Sequence, residues 1–535
     1  MNQEDRAREL LSIGDYKFRQ GKISRRQFMS LMASCGVVVA APGLLSACGG
    51  SNGASQTDRL RFLVGEAFWA DWNPYGHTAQ IGFKIQQNLF DRLVEIQPDL
   101  SLQPGLAEEW KQLDERTWEF KLRDDVKFHK GQTLTAQDVK ASIELASGFV
   151  KNEKTAAMAA HWIPHEVEVV DDHTVRLRGE QPYGPLLNTL AITDILSAED
   201  LEKGVDAIAK APNGTGAYRL ADDKPNEKTL EAFKDYYRGP AGVQTVVWEY
   251  IQDSQTRLNA LLAGQAAVID RVEPDQASTI KQRDDVELKS VTSLEIQSLW
   301  FRMDKEPFGD NAALRRAVAW GVDRQPLVDL IGGETELAMS HLASGILYHK
   351  PQEPQYIFDP ERARAEMEAA GVSPPVAFEL GTSTGFYPKS KEVSELAVEN
   401  LNEVGFKVKL TVLELAAWID MLFGESKPGE LFHGGWGNLT RDPDFAVATL
   451  FHSPGAWTGA HDDRTDELID RGKTTTGQAE RERVYGELQT YLWEQVPSVP
   501  LVYSEISNGV DANLSGFKLY PTFIHRFWPV EMQEA

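Results

Sequence analysis

The sequence predicts an α/β protein of mixed strands and helices, with no regular βαβ alternation, divided into two or three domains. Three observations carry this reading. The 535 residues are long enough for several cores even after a leader is removed. Short period-two stretches such as Thr117-Trp118-Glu119-Phe120-Lys121-Leu122 read as half-buried strands. Amphipathic helical stretches lie between and after them in no fixed order, which argues against a single doubly wound domain.

Taken along the chain, residues 1–23 form a polar lead. Ser24-Arg25-Arg26-Gln27-Phe28-Met29 then sets the pair Arg25 and Arg26 before an apolar run, residues 28–45, that ends in Leu45-Ser46-Ala47-Cys48. This order reads as a twin-arginine export signal with a lipoprotein cleavage box, making Cys48 the lipidated first residue of the mature chain. Ser30, Ser34, Gly36, Pro42 and Gly43 break the run too often for a permanent membrane helix. Residues 48–56, small and polar, read as a flexible tether.

The first strand is expected at Leu60-Arg61-Phe62-Leu63-Val64. Residues 85–93 have apolar side chains at helical spacing and lead into Val94-Glu95-Ile96. Val167-Glu168-Val169 and Thr174-Val175-Arg176-Leu177 read as a strand pair turned by Asp171-Asp172-His173. Residues 135–145 read as a helix with Thr135 as N-cap and Asp138 at its third position. Further helices are expected at 311–321, 360–370, 391–404, 465–471 and 477–495, the last followed by the apolar strand Val499-Pro500-Leu501-Val502-Tyr503.

Composition excludes several classes. Only two cysteines occur, Cys35 inside the export segment and Cys48 at its end, so the mature chain has no disulfide, cysteine nucleophile or cysteine-ligated metal. A net charge of −25 makes nucleic acid a poor partner. No later stretch is long and uncharged enough to span a bilayer, so lipid on Cys48 would be the sole anchor.

A series of fragments then carries a resemblance. Pro104-Gly105-Leu106-Ala107-Glu108-Glu109-Trp110 precedes Trp118-Glu119-Phe120-Lys121-Leu122-Arg123, Val126-Lys127-Phe128-His129-Lys130-Gly131 and Leu134-Thr135-Ala136-Gln137-Asp138-Val139. Asn213-Gly214-Thr215-Gly216-Ala217-Tyr218, Tyr236-Tyr237-Arg238-Gly239, the stretch at 257–265, the stretch at 314–324 and Asp442-Pro443-Asp444 follow in order. Over roughly residues 60 to 530 the chain resembles the family 5 extracellular solute-binding proteins, the peptide receptors of ABC importers with their relatives for nickel, sugars and opines.

The resemblance implies the two-lobed periplasmic-binding-protein fold of the peptide-receptor type, with a third domain and a hinge. Lobe I would comprise 57–102, 212–293 and 499–535, the accessory domain 103–211, and lobe II 294–498. It implies a monomeric receptor, with no cofactor and no catalysis, that binds a small peptide or peptide-like solute, or alternatively a sugar, opine or metal complex. Its partners would be permease and ATPase subunits, and its place the outer side of the cell membrane. The glycines of Gly214-Thr215-Gly216 are expected to supply backbone freedom at a sharp turn, and Lys130-Gly131 a tight turn.

Two stretches are expected at the ligand. The loop 65–74 has three aromatics, of which Phe68 and Trp69 are candidate contacts and Trp72 a packing residue. The second is Gly434-Gly435-Trp436-Gly437-Asn438-Leu439-Thr440-Arg441, which supplies Trp436, Gly437, Asn438, Leu439 and Arg441, with Trp418 as a further ring on which a solute could stack. The peptide receptors carry there an aspartate for the ligand amine, at the position of Leu439, and an arginine for its carboxylate in the segment matching 382–386. Both are missing from this sequence, which points to a ligand other than a simple dipeptide. Asp442 and Asp444 look structural, capping the helix from Phe445.

Rival classes are a secreted hydrolase and a signalling lipoprotein. No Gly-x-Ser-x-Gly elbow or His-Glu-x-x-His helix occurs, and His433, His452 and His461 are scattered without ligand spacing.

Overall fold

The computed structural model describes residues 58–68, 71–77, 80–332, 335–384, 387–414, 417–418, 429–453, 457–459 and 461–533. Arg25, Arg26, Cys48, the tether and Trp69 lie outside the described residues.

In chain order the strands are β1 (Arg59–Val64), β2 (Val94–Ile96), β3 (Leu102–Pro104), β4 (Ala107–Gln112), β5 (Thr117–Leu122), β6 (His165–Asp171), β7 (Thr174–Gly179), β8 (Tyr218–Lys224), β9 (Glu227–Ala232) and β10 (Thr245–Tyr250). They continue with β11 (Val268–Ile269), β12 (Val286–Phe301), β13 (Glu336–Leu337), β14 (Val376–Ser383), β15 (Phe406–Leu413), β16 (Leu431–Gly437), β17 (Ser498–Asp511), β18 (Leu514–Ser515) and β19 (Glu531–Met532). Mixed sheets and helices without strict alternation agree with the α/β class expected.

Eleven strands form one sheet in the order β15-β14-β16-β12-β17-β11-β1-β10-β9-β8, with β13 also on β17. β12 and β17, 16 and 14 residues long, pair antiparallel along nearly their whole length. The two halves of this ladder serve different neighbours. β11 joins at Val510 and Gly509 of β17, whereas β16 joins β12 from Glu295 to Phe301. Between them the β12–β17 register shifts, from Thr292 opposite Glu505 to Ile296 opposite Tyr503. Such an irregularity bends a strand pair and re-aims its side chains. Ser293 Oγ pins it by donating to Ser504 O at 2.8 Å and accepting Glu295 N–H at 3.1 Å.

A second sheet, β4-β5-β7-β6, carries the expected alternation. Phe120 and Leu122 of β5 are buried, while Lys121 between them is exposed. The β6–β7 turn is closed by Asp171 Oδ1 accepting His173 N–H at 2.9 Å. The helix Ala136–Ala146 begins with the capping box read from Thr135 and Asp138, with Thr135 N–H donating to Asp138 Oδ2 at 2.8 Å. Lys140 Nζ ties that helix to Val167 O of β6 at 2.7 Å. One apolar cluster joins Phe120, Val139 and Leu177 of this unit to Phe62, Trp248 and Phe527 on the β1 side of the large sheet. A separate cluster packs the helices Ala312–Gly321, Pro360–Ala369 and Ser390–Val404 onto β12, β14 and β15. A third gathers Trp300, Phe451, Trp457 and the helix Gln478–Gln495.

Gly131 turns at φ +95°, as the Lys130-Gly131 reading requires. Gly214 and Gly216 serve a different need from the one expected. Neither adopts a left-handed φ; a Cβ on Gly214 would sit 1.9 Å from Leu89 O, and one on Gly216 2.5 Å from Asn88 O. The motif is there to let two backbones touch. Among the described residues no helix is long and apolar enough to cross a membrane.

Candidate ligand-binding site

Where β12 and β17 cross between the two sides of the sheet lies a partly open cavity of about 1110 Å³. From the β1 side come Gly65 after β1, Lys84 of the helix Gln80–Leu89, and Asp270 and Arg271 after β11. From the β14 side come Glu295 and Gln297 of β12 and Tyr387, which precedes the helix Ser390–Val404. Ser504 to Asn508 of β17 form the floor between them.

β12 reaches the cavity through ordinary strand periodicity. Glu295 and Gln297 line it, while Ile296 between them belongs to the apolar core on the other face. The irregularity at Ser293 places this alternation at the crossing. Gln297 Nε2 donates to Ser504 Oγ at 3.1 Å, joining the two long strands at the same point.

The charged wall on the β1 side is a network. Asp270 Oδ1 accepts Gly65 N–H at 2.7 Å, and its other oxygen lies 3.5 Å from Lys84 Nζ. Burial raises the Asp270 pKa, but Lys84, Arg257 and Arg271 outweigh it and hold the carboxyl below its usual range. Glu66 Oε2 stands 3.0 Å from Arg271 Nη2 and 3.5 Å from Lys84 Nζ. Arg257 braces the loops around this network by donating to Ile251 O, Gln252 O, Asp270 O and Arg271 O at 2.8 to 3.3 Å.

Other lining groups lack hydrogen-bond partners among the described residues. Asn508 is fully buried and neither its Oδ1 nor its Nδ2 is hydrogen-bonded; Gln297 Oε1 and Thr335 Oγ1 are likewise unpaired. A buried unsatisfied polar atom costs about 1–3 kcal/mol, so these groups favour an occupant that bonds to them. Among the described residues no group of three or more His, Cys, Asp or Glu side chains is placed to hold a metal ion.

Residues 101–458 match the profile of the bacterial extracellular solute-binding proteins, family 5 middle. The chain belongs to that family. Its members are the substrate-binding components of ABC importers, working in the periplasm or outside the cell membrane and delivering small ligands to a permease. The chain is 25% identical to the glutathione-binding protein GsiB of Escherichia coli strain K12 over 476 residues, 86% of this chain and 92% of GsiB. It shares its fold with the dipeptide binding protein of Pseudoalteromonas sp. SM9913 solved with Met-Leu, at TM-score 0.80 and 22% identity over 89% of this chain and all of that one. The DppA protein of Helicobacter pylori, solved with peptide STSA, superposes at TM-score 0.79 and 22% identity over 89% and 98% of the two chains. These neighbours are two-lobed periplasmic peptide-binding proteins, so the two-lobed fold class expected from the sequence holds.

In this solute-binding protein the loop after β16 is a scaffold. Asn438 is fully buried; its Oδ1 accepts from Thr440 N–H and Arg441 N–H at 2.9 Å, and its Nδ2 donates to Asp442 O at 2.7 Å. Leu439 is buried in the largest apolar cluster. Arg441, at φ +68°, donates from Nη1 to Leu100 O at 2.8 Å. Register sets Trp436 opposite Ile296 and Gly435 opposite Gln297, so the indole shares a face with the core and packs near Phe445 and Trp457. Gly437 pairs with Glu295. Trp418 is buried over Gly434 and meets Tyr387 edge-on at 5.7 Å. Phe68 lies under Lys228 Nζ at 5.4 Å, and Trp72 Nε1 donates to Asp223 Oδ2 at 2.7 Å, fixing the loop as expected of a packing residue. Of the ligand contacts expected from sequence, the described ones therefore surround the cavity without lining it.

The lining residues Lys84, Asp270, Arg271, Glu295, Gln297 and Asn508 went unread in the sequence. The available signal was the alternation Leu294-Glu295-Ile296-Gln297, which marks a strand but does not separate a cavity face from a solvent face.

Proposed function

We propose that this solute-binding protein captures a short peptide or peptide-like zwitterion in the cavity at the β12–β17 crossing. The observation that carries this reading is the lining itself, where Lys84, Arg271 and Lys281 stand with Asp270, Glu295 and Glu505, beside the amides of Gln297 and Asn508. Amide donors and acceptors suit a peptide bond. The volume lies above the usual 300–1,000 Å³ or so of ligand pockets, so a tripeptide or longer fits better than a dipeptide. The names of its relatives, for glutathione and for peptides of two and four residues, favour the same class.

Transport follows by closure. Lobe I (57–102, 212–293, 499–535) and lobe II (294–498) swing about the β12–β17 crossing, with the accessory domain (103–211) riding on lobe I. The closed state binds ligand better, so ligand shifts the population toward the form the permease receives. The protein performs no chemistry of its own.

Titration calorimetry of the chain from Gly49 onward, against glutathione, di- to tetrapeptides, sugars and nickel–histidine, tests the reading. Saturation of a peptide at a hundred times its Kd should add about 2.7 kcal/mol of stability. Binding of sugar or nickel–histidine with no response to any peptide would move the protein to another ligand class.

We further propose twin-arginine export through Arg25 and Arg26 and lipid anchoring on Cys48, with residues 48–56 as tether. Cys48→Ala should shift the protein from the membrane to the soluble fraction, and replacing both arginines by lysine should leave an uncleaved precursor inside the cell. A membrane-bound Cys48→Ala protein would show that something else holds it.

A further inference from the structure

We propose that Asn508 and His525 form a subsite on the β1 side of the cavity that takes an uncharged carboxamide of the ligand, so that peptides with a glutamine or asparagine side chain at one position are preferred. This rests on the reading of the cavity as a peptide site.

Strand register brings the subsite together. β11 runs antiparallel to β17 with Val268 opposite Val510 and Ile269 opposite Gly509, and the register continued by one residue sets Asp270 beside Asn508. Val268, Val510 and Ile506 belong to the apolar cluster around Phe62. Ile269 belongs instead to the cluster of Leu261 and Ile280, against which a Cβ on Gly509 would press. Alternation therefore puts Asn508 on the Phe62 face of the sheet. His525 reaches the same face from the C-terminal segment, edge-on to Phe62 at 5.1 Å and stacked on Phe517 at 6.0 Å. Asp270, Asn508 and His525 line the cavity together with Lys84.

These two side chains are the ones the fold leaves unanswered. Asn508 is fully buried and His525 is 2% exposed, yet among the described residues Asn508 Oδ1, Asn508 Nδ2 and His525 Nδ1 have no hydrogen-bond partner. Asp270 Oδ2 beside them makes no hydrogen bond either, with Lys84 Nζ at 3.5 Å. Buried amide and imidazole groups are nearly always paired, so an occupant is expected to complete them. The His525 carbonyl is already engaged by Asn88 Nδ2 at 2.8 Å, which holds the ring in place for that occupant.

The chemistry of the space selects what enters it. Lys84 stands between Asp270 and Glu66, 3.5 Å from each, so the charges at this wall already answer one another. Burial keeps His525 neutral, with its pKa lowered to about 3, and Asn508 carries no charge. The groups left to bond are neutral: a donor and an acceptor on one amide, and an imidazole nitrogen able to play either part. A carboxamide meets Asn508 head to tail, N–H to Oδ1 and C=O to Nδ2, and keeps a second N–H for the neighbouring acceptors. A carboxylate lacks the donor and an ammonium the acceptor, while an apolar side chain would bury all three atoms unpaired.

The test is titration calorimetry of the wild type, Asn508→Leu and Asn508→Ser with trialanine and with its variants carrying Gln, Met or Glu at each position in turn. At one position the wild type should bind Gln about tenfold or more tighter than Met, its apolar isostere, and tighter than Glu. Asn508→Leu should bring the Gln-to-Met ratio to about one or below, with Asn508→Ser in between. Urea denaturation adds a readout that a structural role would not share, since leucine in place of an amide without partners should keep or raise the midpoint. A lowered midpoint would assign Asn508 to the fold and overturn the subsite. A Gln preference that survives in Asn508→Leu overturns it as well. A wild type that ranks Gln with Met at every position leaves the space to ordered water only and overturns the subsite with no variant needed, the peptide reading standing. Absence of binding to every peptide by the folded wild type overturns the peptide reading and this inference with it.

Discussion

Asp442→Ala is expected to lower the free energy of unfolding by about 3–5 kcal/mol, because it strands a buried guanidinium. Asp442 is fully buried, and both its oxygens meet Arg481 Nη1 and Nη2 at 2.8 Å. The same carboxylate accepts Asp444 N–H at 3.0 Å and so caps the helix Pro443–Phe451. Arg481 is itself almost wholly buried, with Nε donating to Gly472 O at 3.1 Å and its guanidinium close to the Tyr348 and Tyr485 rings. Alanine would remove the cap, worth about 1 kcal/mol, and the carboxylate that, among the described residues, is bonded to that cation. Urea denaturation of the two proteins measures the difference directly. Pairing Asp442→Asn with Arg481→Met should recover most of the loss, since the double variant leaves neither charge uncompensated. A loss below 1 kcal/mol for the single variant would mean that water reaches the pair.

Wherever local chemistry decides an element, the sequence was readable. Thr117–Leu122 alternates strictly and forms a strand over those same residues, and Thr135 with Asp138 builds the capping box their spacing requires. Asp442 caps its helix because an Asp before Pro can do little else at a helix start, although that helix begins at Pro443. What depends on distant partners was not readable. β12 runs 16 residues through Ser290, Thr292 and Ser293, which interrupt its apolar pattern, because β17 some two hundred residues later supplies its hydrogen bonds. Gly214 looked like a turn residue, since sequence does not reveal that Leu89 O lies against it. The site suffered most. Trp436 looked like a stacking ring, but its face is set by register with Ile296, which places it with the core. Asp270, Arg271 and Glu295 went unread, because a buried charge becomes visible only once its partners are in place. Thr384 and Tyr387, in and just beyond the segment 382–386, do line the cavity.

Acidification is expected to destabilise the protein steeply between pH 6.5 and 4. Burial lowers the pKa values of His77, His129, His161, His165, His341 and His433 from 6.5 to about 4, and that of His525 to about 3. The folded chain keeps these rings neutral, whereas the unfolded chain protonates them below pH 6.5. Their contribution is therefore fully present above that value and is lost as pH falls toward the folded values. By linkage each such histidine loses roughly 1–2 kcal/mol by pH 5. Asp194 and Asp444 work in the opposite direction, since burial raises both to about 6 and the folded state takes up their protons first as pH falls. These carboxyls, with Asp91 and Glu273, which burial also raises, do not balance seven rings, so the net loss at pH 5 should be on the order of several kcal/mol, a large share of a typical folding free energy. Urea midpoints at pH 7, 6 and 5 measure it, with the slope of stability against pH steepest between the unfolded and folded histidine values, near pH 5. A flat profile would require water to enter around these rings. His433→Asn, which removes one ring from the count without adding charge, should flatten the slope by about one histidine's share and so separate this cause from general acid effects on the carboxylates.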